Sequence, residues 1–495
     1  MPEKRVFPPY AAFLALALFV VLLRLPDIFT HFKDWDEAAM MSQAWALTRG
    51  QILYRDIFQL HAVLNIALFV PFFLLFSPDA APHAIKLFNA VLIFGGALAV
   101  RRAAVKWLAS PALALLTAFL FAACFRWGWA QSSHGEFYAL LPTLWAAHIL
   151  LFSKDLSPRR LFAAGLLGGV AFYLKQTALF DTAALWAIAL HRSRPGRRAA
   201  TAAALAGGFA AVTAVITLYF AAHGAGKTAL YSIWARPVLN YAGRATGRLR
   251  LVGTIAHAYA GYFSLMFAAA AAGAYALIRR RGAALSDGDR IFIYLALWLA
   301  ADLCGLILGG RFYPHYLIQL IPATVLLSVH VLRGLHVRLQ ATAARAFIAI
   351  ALIFGLHDAA GRLASLSAAG WRTPQVAQSQ AAADYVRAHT RPQDRIFVYK
   401  AENLDIFYLA RRLSSNGIYM FIDMVAEHTH DAATEERKRQ ELLAAPPAAI
   451  IVDPRGLRFA SAETFFADII KKHYQPAATI SGLRIYLRNG LEDPS

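Results

Sequence analysis

The chain has 495 residues, 59% of them hydrophobic and only 16% charged, and its mean hydropathy is +0.47. A soluble globular chain is far less apolar, so the composition predicts a mainly α, polytopic membrane protein. The net charge of +20 does not point to nucleic acid, because Lys and Arg fall in short clusters between apolar runs rather than on one face.

Residues 6–23 form the first membrane-length apolar run, preceded by Lys4-Arg5. No small-residue cleavage site follows it, so it reads as an uncleaved first span. Behind it comes Asp34-Trp35-Asp36-Glu37, an acidic pair at the water side of a bilayer in a chain with few carboxylates among its apolar segments. Ionisable groups are costly to hold there and tend to have a function, although Asp and Glu also simply cap juxtamembrane helices. Further basic clusters lie at Arg101-Arg102 with Lys106, Lys154 with Arg159-Arg160, Arg192 to Arg198, Arg279-Arg280-Arg281, and Arg333 with Arg338 and Arg345. If all are cytoplasmic, the runs near 6–23, 82–100, 110–127, 136–152, 161–174, 176–191, 200–222, 256–278, 290–308, 314–332 and 345–363 make about eleven crossings, with the amino terminus inside and the carboxyl terminus outside. The run at 61–77 would break this parity, so it reads as a re-entrant or surface-lying helix within one long outer segment, residues 24–81.

The composition changes after residue 363. Helix-like stretches at Ala381–His389 and Glu435–Leu443 alternate with strand-like runs at Arg395–Tyr399 and Ala449–Val452. The expected organisation is therefore a transmembrane domain over 1–363 and a small extracytoplasmic α/β domain over 364–495, with no Gly-rich phosphate loop. Cys124 and Cys304, the only cysteines, lie in apolar segments and read as thiols without a disulfide framework.

The same topology collects polar residues on the outer side. Glu136 begins a later span, where it can serve simply as a first-turn carboxylate of its helix. Lys175 sits at a span end, where a lysine can bind phosphate or snorkel to water. Arg311 and His315 lie in a compact turn between two spans. The outer loop 223–255 adds Lys227, Arg236, Arg244, Arg248 and Arg250, suited either to a phosphate or to anionic lipid headgroups. Asp181 and Asp302, in apolar stretches, read as residues paired to neighbours.

Taken in order, Asp36-Glu37, Gly50, Tyr54-Arg55-Asp56, His134-Gly135-Glu136, Lys175-Gln176 and Gly309-Gly310-Arg311-Phe312-Tyr313-Pro314-His315-Tyr316 resemble the GT-C membrane glycosyltransferases. The branch they look like is that of the bacterial protein O-mannosyltransferases and lipid A aminoarabinose transferases. The resemblance covers residues 6–363. It implies transfer of a hexosyl or pentosyl unit, with inversion, from a polyprenyl-phosphate donor to an extracytoplasmic glycan, lipid or protein acceptor at a bacterial inner membrane. It also implies Asp36 as general base beside Glu37, with Glu136 as a second carboxylate to position the acceptor or a divalent ion. Bottom-up chemistry agrees: one carboxylate takes the acceptor proton, and a phosphate leaving group needs cations rather than a strong acid. Lys175, Arg311 and His315 are the expected phosphate cations, with Arg236, Arg244 and Arg248 as further donor or headgroup contacts. The sequence departs from the pattern at His61-Ala62-Val63, where relatives commonly have Lys-Pro-Pro, so His61 could meet the phosphate only when protonated. No cofactor is called for beyond a candidate divalent cation, whose ligands the sequence leaves open. The competing reading is a transporter or flippase of lipid-linked sugar, which predicts mid-span acidic residues and two related halves with broken helices.

Overall fold

In a computed structural model of the chain, the described residues are all except 1–8, 61, 127–129, 243–263, 280–285, 310–312, 430 and 492–495. Among them, seven helices are long and apolar enough to cross a membrane: Tyr10–Ile28, Ala81–Leu108, Gly135–Phe152, Pro195–Ala222, Asp287–Leu308, Pro314–Gly334 and Val337–Ala368. Four other expected crossings coincide with the helices Pro111–Ala123, Pro158–Leu174, Ala178–Arg192 and Ser264–Arg279, which have 13 to 17 residues. Seven crossings thus meet the length requirement, and the expected eleven are not established. The apolar run after residue 61 breaks into the helices Leu64–Ala67 and Val70–Leu75. At about 1.5 Å per residue neither can cross a bilayer.

The chain divides into two compact units. The first comprises Met1–Pro26, Leu87–Ile216 and Tyr241–Leu363; the second comprises Asp27–Lys86, Thr217–Asn240 and Ala364–Ser495. In the first unit, the helices Gly135–Phe152 and Pro158–Leu174 form a hairpin, and Ala178–Arg192 packs against both Gly135–Phe152 and Asp287–Gly309. Its interior is apolar, with Phe119, Tyr173 and Trp298 fully buried. Inside it the Asp181 carboxylate accepts hydrogen bonds from Trp298 Nε1 (2.7 Å) and Gln319 Nε2 (3.2 Å).

The second unit is α/β. Its four strands, β1 (Ile396–Tyr399), β2 (Ala449–Val452), β3 (Tyr474–Ile480) and β4 (Leu483–Arg488), lie in the order β1-β2-β4-β3. β1 and β2 are parallel and the other pairs antiparallel. All four residues of β1, at one edge of the sheet, and of β2, inside it, are buried, as expected for short apolar runs covered on both faces. β3 and β4 form a hairpin across Ser481-Gly482, both at positive φ, the geometry that matches strand twist.

This unit also holds the first loop. Ser42 Oγ donates to the Leu404 carbonyl at 2.6 Å, and the Phe58 amide donates to the Gly417 carbonyl at 3.0 Å. The rings of Phe73 and Tyr408 meet at 5.4 Å. Residues 27–86 are therefore packed on the C-terminal segment rather than spread as a free loop.

Candidate functional site

In the second unit the acidic pair opens the helix Trp35–Leu47. Asp34, not Asp36, is the N-cap: its backbone is extended, and its carboxylate accepts from the Glu37 amide at 3.0 Å. Glu37, three residues on, reaches back to accept from the Lys33 amide at 2.8 Å, a close variant of the capping box. Its other oxygen is ion-paired with Lys86, and both side chains are fully buried. The neighbouring carboxylates thus separate in role. Glu37 is spent on the helix start and on Lys86, whereas Asp36 is half-buried at the second helical position.

Beneath this helix start lies a second buried acid. Asp405 is fully buried, 3.9 Å from His31 Nδ1. Burial pushes its carboxyl above the ordinary value, and the neighbouring His31 offsets part of that. Arg236, a candidate donor or headgroup contact, sits in the same unit. It is only 4% exposed, donates to Asp431 at 2.6 Å and lies over the Phe58 ring at 4.9 Å, so its side chain is engaged within the unit.

The first unit holds the other cluster. His134 is the N-cap of Gly135–Phe152, and Glu136 lies in its first turn, 1% exposed. The helix N-terminus favours a carboxylate there. Lys175 caps the Pro158–Leu174 helix, and its Nζ lies 2.6 Å from Glu136 Oε1, an ion pair without an aligned hydrogen bond. Lys175 also lies over the Tyr316 ring at 4.6 Å. His315 Nε2 is 3.9 Å from the same carboxylate oxygen, and the ring stacks on His134 with centroids 3.9 Å apart. A glycine makes this closeness possible: a Cβ on Gly135 would lie 2.5 Å from the Leu174 carbonyl oxygen. With two imidazoles, one ammonium and one carboxylate, the cluster can bind an anion or share a proton; the histidines and Glu136 are also metal-ligand types.

Of the residues expected from sequence, Glu136, Lys175 and His315 come together, and Asp36 and Glu37 are adjacent on one helix. Arg311, His61, Arg244 and Arg248 lie outside the described residues. Sequence reasoning missed Lys86, Asn89 and Arg24. Asn89 donates to Ser133 Oγ (2.8 Å) and accepts from the Tyr138 hydroxyl (2.7 Å), while buried Arg24 donates to the Gln131 carbonyl (3.0 Å). Together they hold the segment that presents His134. The available signal was a polar or charged residue inside an apolar helix, the same rule that singled out Asp36.

Neither a protein-family model nor a curated relative matches the sequence. Among solved structures, the chain is similar to ArnT from Cupriavidus metallidurans bound to undecaprenyl phosphate, with a TM-score of 0.61 and 14% identity over 98% of this chain and 99% of that one. The apo form of the same ArnT gives a TM-score of 0.60 and 13% identity over 96% of this chain and 97% of that one. At this identity the likeness shows the fold: a GT-C-like, polytopic, mainly helical architecture with a small C-terminal sheet.

Proposed function

We propose that the chain is an integral-membrane glycosyltransferase that moves a sugar from a polyprenyl-phosphate carrier to an acceptor hydroxyl or amine, with inversion, at the outer face of a bacterial inner membrane. The observation that carries this reading is the full-length likeness to ArnT, a protein solved with undecaprenyl phosphate bound. The cationic cluster of Lys175 and His315 around Glu136 supports it.

In the proposed step, the acceptor oxygen or nitrogen attacks the anomeric carbon, and the bond from that carbon to the phosphate oxygen breaks with its electron pair going to the phosphate. Asp36 takes the acceptor proton. The carrier phosphate gains a negative charge as the bond breaks, so Lys175 and protonated His315, with Arg311 as the expected third cation, bind the transition state more tightly than the donor. Glu136 keeps Lys175 and His315 oriented, and Glu37 fixes the helix that presents Asp36. A divalent cation, if used, would supply further charge neutralisation at the phosphate. Asp36→Asn keeps the shape and removes the base, so transfer should fall by about 10² to 10⁴ with unchanged expression and insertion. Near-normal turnover by the purified variant would sink the assignment.

A flippase or transporter of lipid-linked sugar is the second reading, and the buried Asp181 and Asp302 within apolar helices favour it. It requires that Asp36→Asn leave substrate movement intact while substitution of Asp181 or Asp302 abolishes it.

A further inference from the structure

A cavity of about 330 Å³ opens in the second unit beside Trp35, the residue that immediately precedes Asp36. It is at the small end of ligand-pocket sizes, roughly 300 Å³ and upward, enough for one or two sugar rings but not for a polyprenyl chain. Its wall is mostly polar: Gln375, Gln378, Glu402, Asp453 and Arg455 line it, with Trp35 as its aromatic residue and Leu457 as its aliphatic one. Such a wall rejects an acyl or prenyl tail. Both cations of its wall are already engaged, Arg455 near Asp453 at 3.4 Å and Lys400 with its ammonium on Glu463, which with the carboxylates of Glu402 and Asp453 makes it a poor phosphate site.

What remains is a neutral, hydroxyl-rich ligand. Planar amide, carboxylate and guanidinium groups meet pairs of hydroxyls with two hydrogen bonds each, and a half-exposed indole offers a flat apolar face to the C–H side of a ring. The floor is held in shape independently of any ligand. Lys400 is buried at positive φ (+65°) with its ammonium on Glu463, and a Cβ on Gly456 would fall 2.0 Å from the Lys400 carbonyl oxygen. A non-glycine held in the left-handed region is strained, and such strain concentrates at ligand sites.

We propose that this cavity is a saccharide subsite that holds the glycan part of the acceptor, at the start of the helix that carries Asp36. This rests on the transferase reading for the word acceptor, but not for saccharide binding itself. The test uses the full chain in nanodiscs free of glycoside detergent, with maltose and N,N′-diacetylchitobiose as probes. Saturation-transfer NMR should show ring protons of at least one probe contacting the wild type, and Trp35→Ala and Glu402→Ala should each abolish the signal. In turnover, Trp35→Ala and Arg455→Ala should raise the acceptor KM roughly tenfold, the loss of about one good contact, without raising the donor KM. A rise in the donor KM instead would assign the cavity to the donor sugar and overturn the proposal. So would equal probe signals in wild type and variants. Probe binding that depends on Trp35 in a chain without transferase activity would leave the saccharide site standing and remove the transferase reading.

Discussion

Two Lys–Glu pairs of the same chemistry sit in different surroundings, and the surroundings decide what each does. Lys86 and Glu37 are both fully inaccessible, so each is the countercharge that the other meets inside the unit, with the Lys33 amide as a further donor to Glu37. Removing one partner of such a pair leaves a buried charge uncompensated, at a cost of about 3–5 kcal/mol. Lys86→Met should therefore lower the melting temperature of the purified protein strongly. Lys86→Met combined with Glu37→Gln should recover much of the loss, and a double variant no more stable than the single one would show that the pair is not what holds the helix start. Lys175 and Glu136 are different, because Lys175 keeps 13% of its side chain exposed and can be shared with an incoming anion. A charge-assisted contact is worth about 1.5–3 kcal/mol, so Lys175→Gln should raise the donor KM by roughly ten- to a hundredfold, and Lys175→Arg should restore part of it. An unchanged donor KM, with only the acceptor KM raised, would move the phosphate elsewhere.

At the scale of elements, the Glu136–Lys175 cluster exists because one helix begins where another ends. The approach of Gly135 to the Leu174 carbonyl leaves no room for a side chain. Gly135→Ala should push the two helix ends apart by several tenths of an ångström or more, enough to lengthen a 2.6 Å ion pair. Because positioning errors of about 1 Å can cost 10²-fold in rate, the expected result is a large loss of turnover with a circular dichroism spectrum like the wild type's. Full activity in that variant would mean the ion pair is not needed. The helices were legible in the sequence because length and apolarity are local signals, and each of the eleven apolar runs contains a helix among its described residues. The strands β1 and β2 were legible as short apolar runs. The β3–β4 hairpin was not, since Tyr474–Ile480 is a strand with a single buried residue and no strong alternation. Glu136, Lys175 and His315 were singled out because each is polar at a span end. Lys86, Asn89 and Arg24 escaped because their partners lie far along the chain, Asn89 with Ser133 and Arg24 with Gln131, and nothing local announces such a pairing.

At the scale of the whole molecule, everything proposed for the outer face depends on which segments cross. The short helices Leu64–Ala67 and Val70–Leu75 belong to a unit whose other parts are the α/β segment and residues 217–240, which argues that the chain stays on one side from Asp27 until the Ala81–Leu108 helix. That helix has 28 residues, about 42 Å of rise, enough to carry the chain through the hydrocarbon core. Asp79 and Arg102 are both exposed and lie near opposite ends of it. In a background with Cys124 and Cys304 replaced by Ser, Asp79→Cys should react with a membrane-impermeant maleimide in intact spheroplasts, and Arg102→Cys should react only after permeabilisation. Cys304 must be removed because it is exposed, whereas Cys124 is buried. The positive-inside rule gives the same sidedness, since Arg101, Arg102 and Lys106 cluster at the far end of the helix. Reaction of Arg102→Cys in intact cells with Asp79→Cys protected would invert the topology. Asp36 would then face the cytoplasm, and a donor presented at the outer leaflet could no longer be its substrate.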